Sequence, residues 1–333
     1  MTRDITTDHS NFTLFGITDT VERYTWTAWL LLIFIFALLG GSTILVASCH
    51  HNAFKLHRYI VVMVRHVAAC DLMIAVVGVV PQIVSLLANR NILNSVLSSV
   101  LVYLTSYSFC VSPLLICAMT VSKYLLLSRP LRTRSWSPEQ AHRVCVAIWA
   151  LSICFPGLFL VVDIDDIYFD YRLYNSNYAY SSRTWRWLGP IKFGLSAFLP
   201  NLLIILTSVL LVKHLQRARR ASLKSRGQVR WQGIATVVLS AVVYCISALP
   251  YNVYHVTSPY VEDDHVLGGR YFHLYFYRAG ATFSYFNVVD NFVIYCCTVR
   301  SFRGYLTERI ARVRYRVLST SLDSGDPEIE TAV

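Results

Sequence analysis

Few residues in this chain could do chemistry, and most of the sequence around them is apolar. No charged side chain occurs from Asn91 to Ser122; Lys123 then appears in "TVSKYLLLSRPL", with Pro130 seven residues later. Asp71 stands in "HVAACDLM" and Asp290 in "DNFVIY", each inside an apolar run, as is Arg65. An ionised group in such surroundings is costly and usually functional. A buried carboxylate needs a counter-charge or dense hydrogen bonding, which a cation with oxygen ligands or a set of amide and hydroxyl donors could supply. Lys123 is either a snorkelling anchor at a membrane edge or a working part of a switch. Hydrolytic chemistry would need His and Asp ligands clustered at one depth. The ten histidines fall mostly in the polar segments, and His66 with Asp71 is a single weak pair. The nine cysteines (Cys49, Cys70, Cys110, Cys117, Cys145, Cys154, Cys245, Cys296, Cys297) lie in or beside apolar runs and show no zinc-ligand spacing.

The elements that must position these residues follow from composition. The 333 residues are 55% hydrophobic and 15% charged, with mean hydropathy +0.47. Soluble domains carry about 25% charged residues. The apolar residues fall in seven blocks, at about 24–48, 59–87, 96–122, 143–162, 190–212, 233–257 and 274–298. Each is long enough for a membrane-spanning helix, which takes about 20 residues. Each must be helical, since a lone segment in lipid satisfies its backbone polar groups only internally. No cleavable signal segment is expected, because the first 20 residues are polar and the first apolar run is too long.

Charge orients the bundle. The odd-numbered connections and the tail hold 20 of the 30 Lys and Arg residues, while the opposite face holds nine of them and eleven of the 19 acids. Lys/Arg-rich connections stay cytoplasmic, so the N-terminus is outside. The basic charge is then a topology and headgroup signal rather than a nucleic-acid footprint. The glycosylation triplet at Asn11 falls in the outside segment, which agrees. The resulting organisation is an extracellular segment (1–23), a seven-helix domain (24–298), a juxtamembrane basic helix (299–316) and a disordered cytoplasmic tail (317–333).

In this frame the landmarks resemble those of the rhodopsin-like G-protein-coupled receptors. "HVAACDLM" is similar to that family's second-span "NLAxADLL", and "SKYLLLSRPL" to its third-span "DRYLAIxxPL". Trp149 and Pro156 follow in the fourth span, Pro200 in the fifth, "CISALPY" with Pro250 in the sixth, and "DNFVIY" in the seventh, resembling "NPxxY" with Asn291 and Tyr295. The departures are as specific. Ser122 replaces the acid before the basic residue, and Lys123 replaces Arg. Ser98 stands in place of the third-span cysteine. Gly41 and Ser42 lie where the first-span Asn is expected. Ser208, Ala248 and Phe292 replace the fifth-span Tyr, the sixth-span Trp and the seventh-span Pro. The chain resembles a divergent member, orphan or odorant-receptor-like.

The resemblance implies an all-α membrane protein, a seven-transmembrane helix bundle with a short amphipathic eighth helix, placed in the plasma membrane. It also implies a receptor that binds an extracellular ligand and signals through heterotrimeric G proteins. The implied ligand-binding positions are Thr105, Ser106, Phe109, Lys192, Ser196, Tyr251, Asn252, His255, Tyr277, Arg278 and Tyr285. Thr105 stands where amine receptors have an Asp, and Tyr285 where opsins have the retinal lysine. Lys192, His255 and Arg278 either favour an anionic ligand or face headgroups. The implied switch positions are Lys123, Pro250, Asn291 and Tyr295. Asp71, Ser112, Asn287 and Asn291 match the family's sodium pocket. They either hold a structural Na⁺ or form an interhelical hydrogen-bonded cluster without an ion. No other cofactor is expected, and the chain is not expected to be an enzyme.

Two alternatives stand beside this reading: a scaffold or decoy that no longer couples to G proteins, and an intramembrane hydrolase or transporter. Against a transporter, no internal repeat is evident. The second outside loop is acidic and Tyr-rich, and without a disulfide it should be mobile or held by its aromatics. Ser222 in "RRAS" has the form of a basophilic kinase site, where a phosphate would offset basic charge beside the membrane. The chain ends Glu330-Thr331-Ala332-Val333, a form read by PDZ domains. The terminal carboxylate is captured by backbone amides, one pocket takes Val333, and Thr331 hydrogen-bonds as the peptide adds a strand to a sheet edge. A peptide ending at Val333 should therefore recover PDZ proteins, and the same peptide extended by one glycine should not. Equal recovery by the two would exclude carboxylate capture.

Overall fold

The computed structural model describes residues 19–54, 56–88, 95–162, 167–170, 175–178, 191, 194, 198–222, 232–261 and 267–323. The first long helix, α1, runs Asp19–Cys49, followed by the short α2 (His51–Phe54). The second crossing is built from α3 (Arg58–Ile74), one widened turn over Ala75–Val79, and α4 (Val80–Ala88). The third is α5 (Ser95–Ser128), followed by the one-turn α6 (Pro130–Thr133). The remaining long helices are α7 (Pro138–Val162), α8 (Leu199–Ser222), α9 (Gln232–Val261) and α10 (Leu267–Thr298). A last helix, α11, runs Arg300–Asp323. It is longer than the short eighth helix expected over 299–316. Between α7 and α8, β1 (Ile167–Asp170) pairs antiparallel with β2 (Asn175–Tyr178), Ile167 opposite Tyr178. This hairpin gives the outside loop backbone hydrogen bonds that aromatic packing alone would not.

The helix starts and breaks have local causes. Ser137 and Gln140 form a reciprocal cap at the head of α7: Gln140 N–H donates to Ser137 Oγ at 3.3 Å, and Ser137 N–H to Gln140 Oε1 at 3.1 Å. Pro138 lies in the first turn, where a missing N–H costs nothing. The widened turn at Ala75–Val79 sits just before Pro81. A proline ring clashes with the carbonyl four residues back, here Val77, and one turn with wider spacing accommodates it.

The helices are packed for lipid. On α1, Leu30, Ile33, Ala37 and Ile44 are buried, while Leu31, Leu32, Ile35, Phe36 and Leu39 are exposed. On α8, Leu202, Ile205, Leu206 and Val209 are exposed in the same way. In water such stripes would be aggregation surfaces; in a bilayer they meet acyl chains. Among the described residues, 23–49, 58–88 and 103–128 are long and apolar enough to cross a membrane, and 199–214 and 238–253 are shorter apolar runs.

α1 packs on α3 and α10, α5 on α3, α7 and α8, and α9 along α10. Small residues set the closest approaches, as is usual between membrane helices. A Cβ on Gly40 would lie 2.8 Å from Phe292 Cβ, and one on Gly41 would lie 2.7 Å from Leu72 Cγ. At Gly280 the obstacle is backbone: Tyr251 N would be 2.9 Å away. Any larger residue there must push α9 and α10 apart, because backbone cannot swing aside as a side chain can.

Candidate ligand cavity and core polar network

The outer half of the bundle gathers several of the expected ligand-side residues. Thr105, Ser106 and Phe109 on α5 are half-buried, as are Tyr251 and Asn252 on α9, and Tyr285 on α10 is buried. The Phe109 ring lies 5.7 Å from that of Tyr251 and 6.2 Å from that of Tyr285. Gly78 leaves room beside them: a Cβ there would sit 3.3 Å from Thr105 Cγ2 and 3.7 Å from Tyr285 Cε1. Asn252 turns its amide back to the Ala248 carbonyl at 2.8 Å. Lys192 and Ser196 lie outside the described residues. The backbones of His255, Tyr277 and Arg278 are on α9 and α10, with side chains outside the described set. The described lining is aromatic, hydroxyl and amide, without an ionised group. It suits a ligand body that is apolar with a few hydrogen-bonding points.

A residue that sequence reading passed over ties this cluster to α4. Gln82, buried, donates from Nε2 to Tyr285 Oη at 2.5 Å. Its signal was available: it is the one amide side chain in the block 59–87.

One level deeper, Asp71 on α3 is 2% exposed and Asn291 on α10 is 3% exposed. Asn291 Nδ2 donates to Asp71 Oδ2 at 2.9 Å. That bond fixes the amide's orientation, and it leaves Asn291 Oδ1 buried with no partner among the described residues. One helical turn outward, the Asn287 Oδ1 instead meets the Ser247 hydroxyl of α9. Ser112 is buried on α5 but makes no bond to Asp71 among the described contacts, so of the four expected residues only Asp71 and Asn291 are joined directly, while Asn287 turns to Ser247. Asp290, half-buried beside Asn291, is near enough for its charge to act on Asp71. Arg65 does not offset these acids. It donates to Ser48 Oγ and to the Ser48 carbonyl, each at 3.1 Å, at the cytoplasmic end of α1. A carboxylate, an orphaned amide oxygen and a buried hydroxyl make an oxygen-only donor set, which fits a hard cation. Among the described residues no group of three or more His, Cys, Asp or Glu could hold a metal.

At the cytoplasmic end, Lys123 is 7% exposed and Ser122 is also buried. The Ser122 hydroxyl faces the Tyr59 phenol of α3, whose ring lies 4.8 Å from Trp136. The serine that replaces the family acid is therefore turned toward a neighbouring helix. Tyr295, buried, sits among Phe54 (5.5 Å) and Phe302 (6.2 Å), and its hydroxyl has no partner among the described residues. Pro250 lies inside α9, half-buried. Arg303 Nη1 donates to the Cys296 and Cys297 carbonyls at 3.0 and 2.5 Å, capping the end of α10. No disulfide joins any of the cysteines. Ser222 ends α8 with its side chain outside the described residues; Asn11, Thr331 and Val333 lie outside them entirely.

The Gln82–Tyr285 bond yields a test. Gln82→Leu and Tyr285→Phe should each cost about 1–3 kcal/mol by stranding a buried partner. The double variant should lose less than the sum, since it removes both ends. Thermal unfolding of the purified chain in detergent checks this. Additive losses would show that the two side chains do not act on one another.

Comparison with known proteins agrees with this architecture. Residues 40–295 match the family of 7 transmembrane receptors (rhodopsin family). Among curated proteins, the annetocin receptor of Eisenia fetida is 22% identical over 130 residues, which is 39% of this chain. The matched part spans 31% of that receptor's length. The chain is a multi-pass membrane protein that belongs to the rhodopsin family of seven-transmembrane receptors.

Proposed function

We propose that this receptor binds an extracellular ligand in the cavity of Thr105, Phe109, Tyr251 and Tyr285 and signals to heterotrimeric G proteins at the plasma membrane. The observation that carries the reading is the run of interhelical polar contacts along α10. Tyr285 meets Gln82 on α4, Asn287 meets Ser247 on α9, and Asn291 meets Asp71 on α3. Tyr295, one turn further, ends the run among the aromatics under α11. A ligand that displaces Tyr285 therefore acts on the helix that also holds the core acid and the cytoplasmic tyrosine. One element whose two ends contact different helices makes a physical basis for coupling. The tail residues Thr331 and Val333 add a PDZ domain as a second cytoplasmic partner, for anchoring rather than signalling.

A second reading, a receptor without G-protein coupling, is favoured by one feature. Lys123 is buried beside Ser122, where the family carries an arginine beside an acid, and lysine offers a point charge in place of a planar fork. Nucleotide exchange on G proteins in membranes expressing the chain decides between the two. If the receptor couples, Lys123→Ala lowers basal or ligand-driven exchange about tenfold, the worth of one charged hydrogen bond. Unchanged exchange in the variant removes Lys123 from the switch, and no exchange above control membranes for the wild type, under any ligand in a broad panel, favours the scaffold.

The core acid has its own signature. If Asp71, Ser112, Asn287 and Asn291 hold Na⁺, exchanging NaCl for choline chloride should shift agonist affinity by about fivefold or more, the scale of ordinary allosteric coupling. Asp71→Asn should abolish the shift. Insensitivity of the wild type to the exchange would leave a hydrogen-bonded cluster without an ion.

A further inference from the structure

A groove lies outside the bundle interior, between the cytoplasmic third of α1 and the outer face of α11. Its volume is about 550 Å³, within the range of small-ligand sites, roughly 300–1,000 Å³. Val46 forms part of one wall, and Leu306, Ile310 and Val313 form the other. Ser42 and Thr43 also line it, but their hydroxyls are turned back to the Leu38 and Leu39 carbonyls of their own helix. They present carbon to the groove. Ile310 and Val313 are 67% and 61% exposed on the protein alone.

The mouth of the groove is basic. Arg309 and Arg314 line it, together with Tyr305. Arg309 is held in place: its Nε donates to Tyr305 Oη at 3.1 Å, and its Nη2 bonds His50 Nε2 at 2.9 Å. Arginine has five N–H donors and no acceptor, so His50 accepts, and three donors of Arg309 remain. Arg314 has no hydrogen bond or ion pair among the described residues. Two further arginines of α11 are committed elsewhere: Arg312 pairs with Glu308 at 2.5 Å, and Arg303 caps α10. The arginines at the groove are thus two that keep donors to spare.

We propose that this groove is a binding site for one anionic phospholipid of the cytoplasmic leaflet. One acyl chain lies along Val46, Ile310 and Val313, and the phosphate is held by Arg309 and Arg314. The chemistry is that of a forked guanidinium on phosphate oxygens, placed at the depth where the leaflet presents them. The topology puts the end of α1 on the cytoplasmic side, where anionic lipids concentrate and attract juxtamembrane arginines. A soluble phosphate would leave the apolar wall uncovered, and a neutral hydrocarbon would leave the arginines unanswered. A phospholipid answers both.

The test uses the full chain reconstituted in phosphatidylcholine nanodiscs doped with phosphatidylserine, with lipids retained after release counted by native mass spectrometry. Phosphatidylserine should be retained over phosphatidylcholine, and Arg314→Gln should cut that preference about fivefold. Arg314 is exposed and makes no hydrogen bond or ion pair among the described residues, so folding should not be at issue. Val46→Trp, which fills the groove, should lower retention with helix content unchanged by circular dichroism. Glycerophosphoserine, the headgroup without chains, should not compete. Equal retention of the two lipids by the wild type would overturn the proposal, as would an unchanged preference in Arg314→Gln or full competition by the headgroup alone. If Val46→Trp alters the dimer fraction but not lipid retention, the groove belongs to a second copy of the chain, and the proposal also fails.

Discussion

In hydrocarbon a carboxylate has nowhere to turn but inward, and the arrangement of this bundle follows from where Asp71 turns. Its nearest fixed donor is the amide of Asn291 on the far helix α10. Arg65, the basic residue that shares α3 with Asp71 well inside the apolar run, is occupied at the end of α1. The acid therefore leans on a neutral neighbour across an interhelical gap, and α3 and α10 must stay within hydrogen-bond distance for it to do so. The close helix contacts at Gly40 and Gly41, which let α1 lie against Phe292 of α10 and Leu72 of α3, hold that distance from outside.

Several departures from the family pattern find their compensation in the packing. A phenylalanine replaces the seventh-span proline, and the ring of Phe292 has space because its neighbour on α1 is Gly40. On α5, where Ser98 stands in place of the family cysteine, other links to α7 remain. Tyr103 Oη donates to the Ile153 carbonyl at 3.0 Å, and Tyr107 Oη donates to the Trp149 carbonyl at 2.8 Å. Tyrosine hydroxyls on backbone carbonyls are weaker than a covalent bridge, and they lie deeper along α5 than Ser98, where they join it to a neighbouring helix.

The sequence made the helices legible because lipid permits few alternatives: a long uncharged run must be a helix, and the cap at "SPEQ" marks where α7 begins. Asp71 and Asn291 were legible because polar residues in such runs stand out. Gln82 was not chosen, because at a regular helical spacing nothing assigns it to the cavity side. The β1–β2 hairpin was also hidden, since "IYFD" and "NSNY" carry no strong alternation and their pairing is a tertiary matter. The far end of α11 was missed for a different reason. Its last turns, "VLSTSLD", are rich in Ser and Thr, which favour helices weakly, and the helix nonetheless continues to Asp323.

The widened turn at Ala75–Val79 is a phase shift as well as a relief for Pro81. Each residue of an α-helix advances the side-chain direction by about 100°. One extra residue absorbed in a single turn therefore rotates the whole outer half of the second crossing relative to its inner half. Asp71 and Gln82 lie on opposite sides of that shift, and both point into the bundle. The two are geared together by one surplus residue. Shortening this stretch by a single position would leave its composition almost unchanged and would still swing Gln82 toward the lipid.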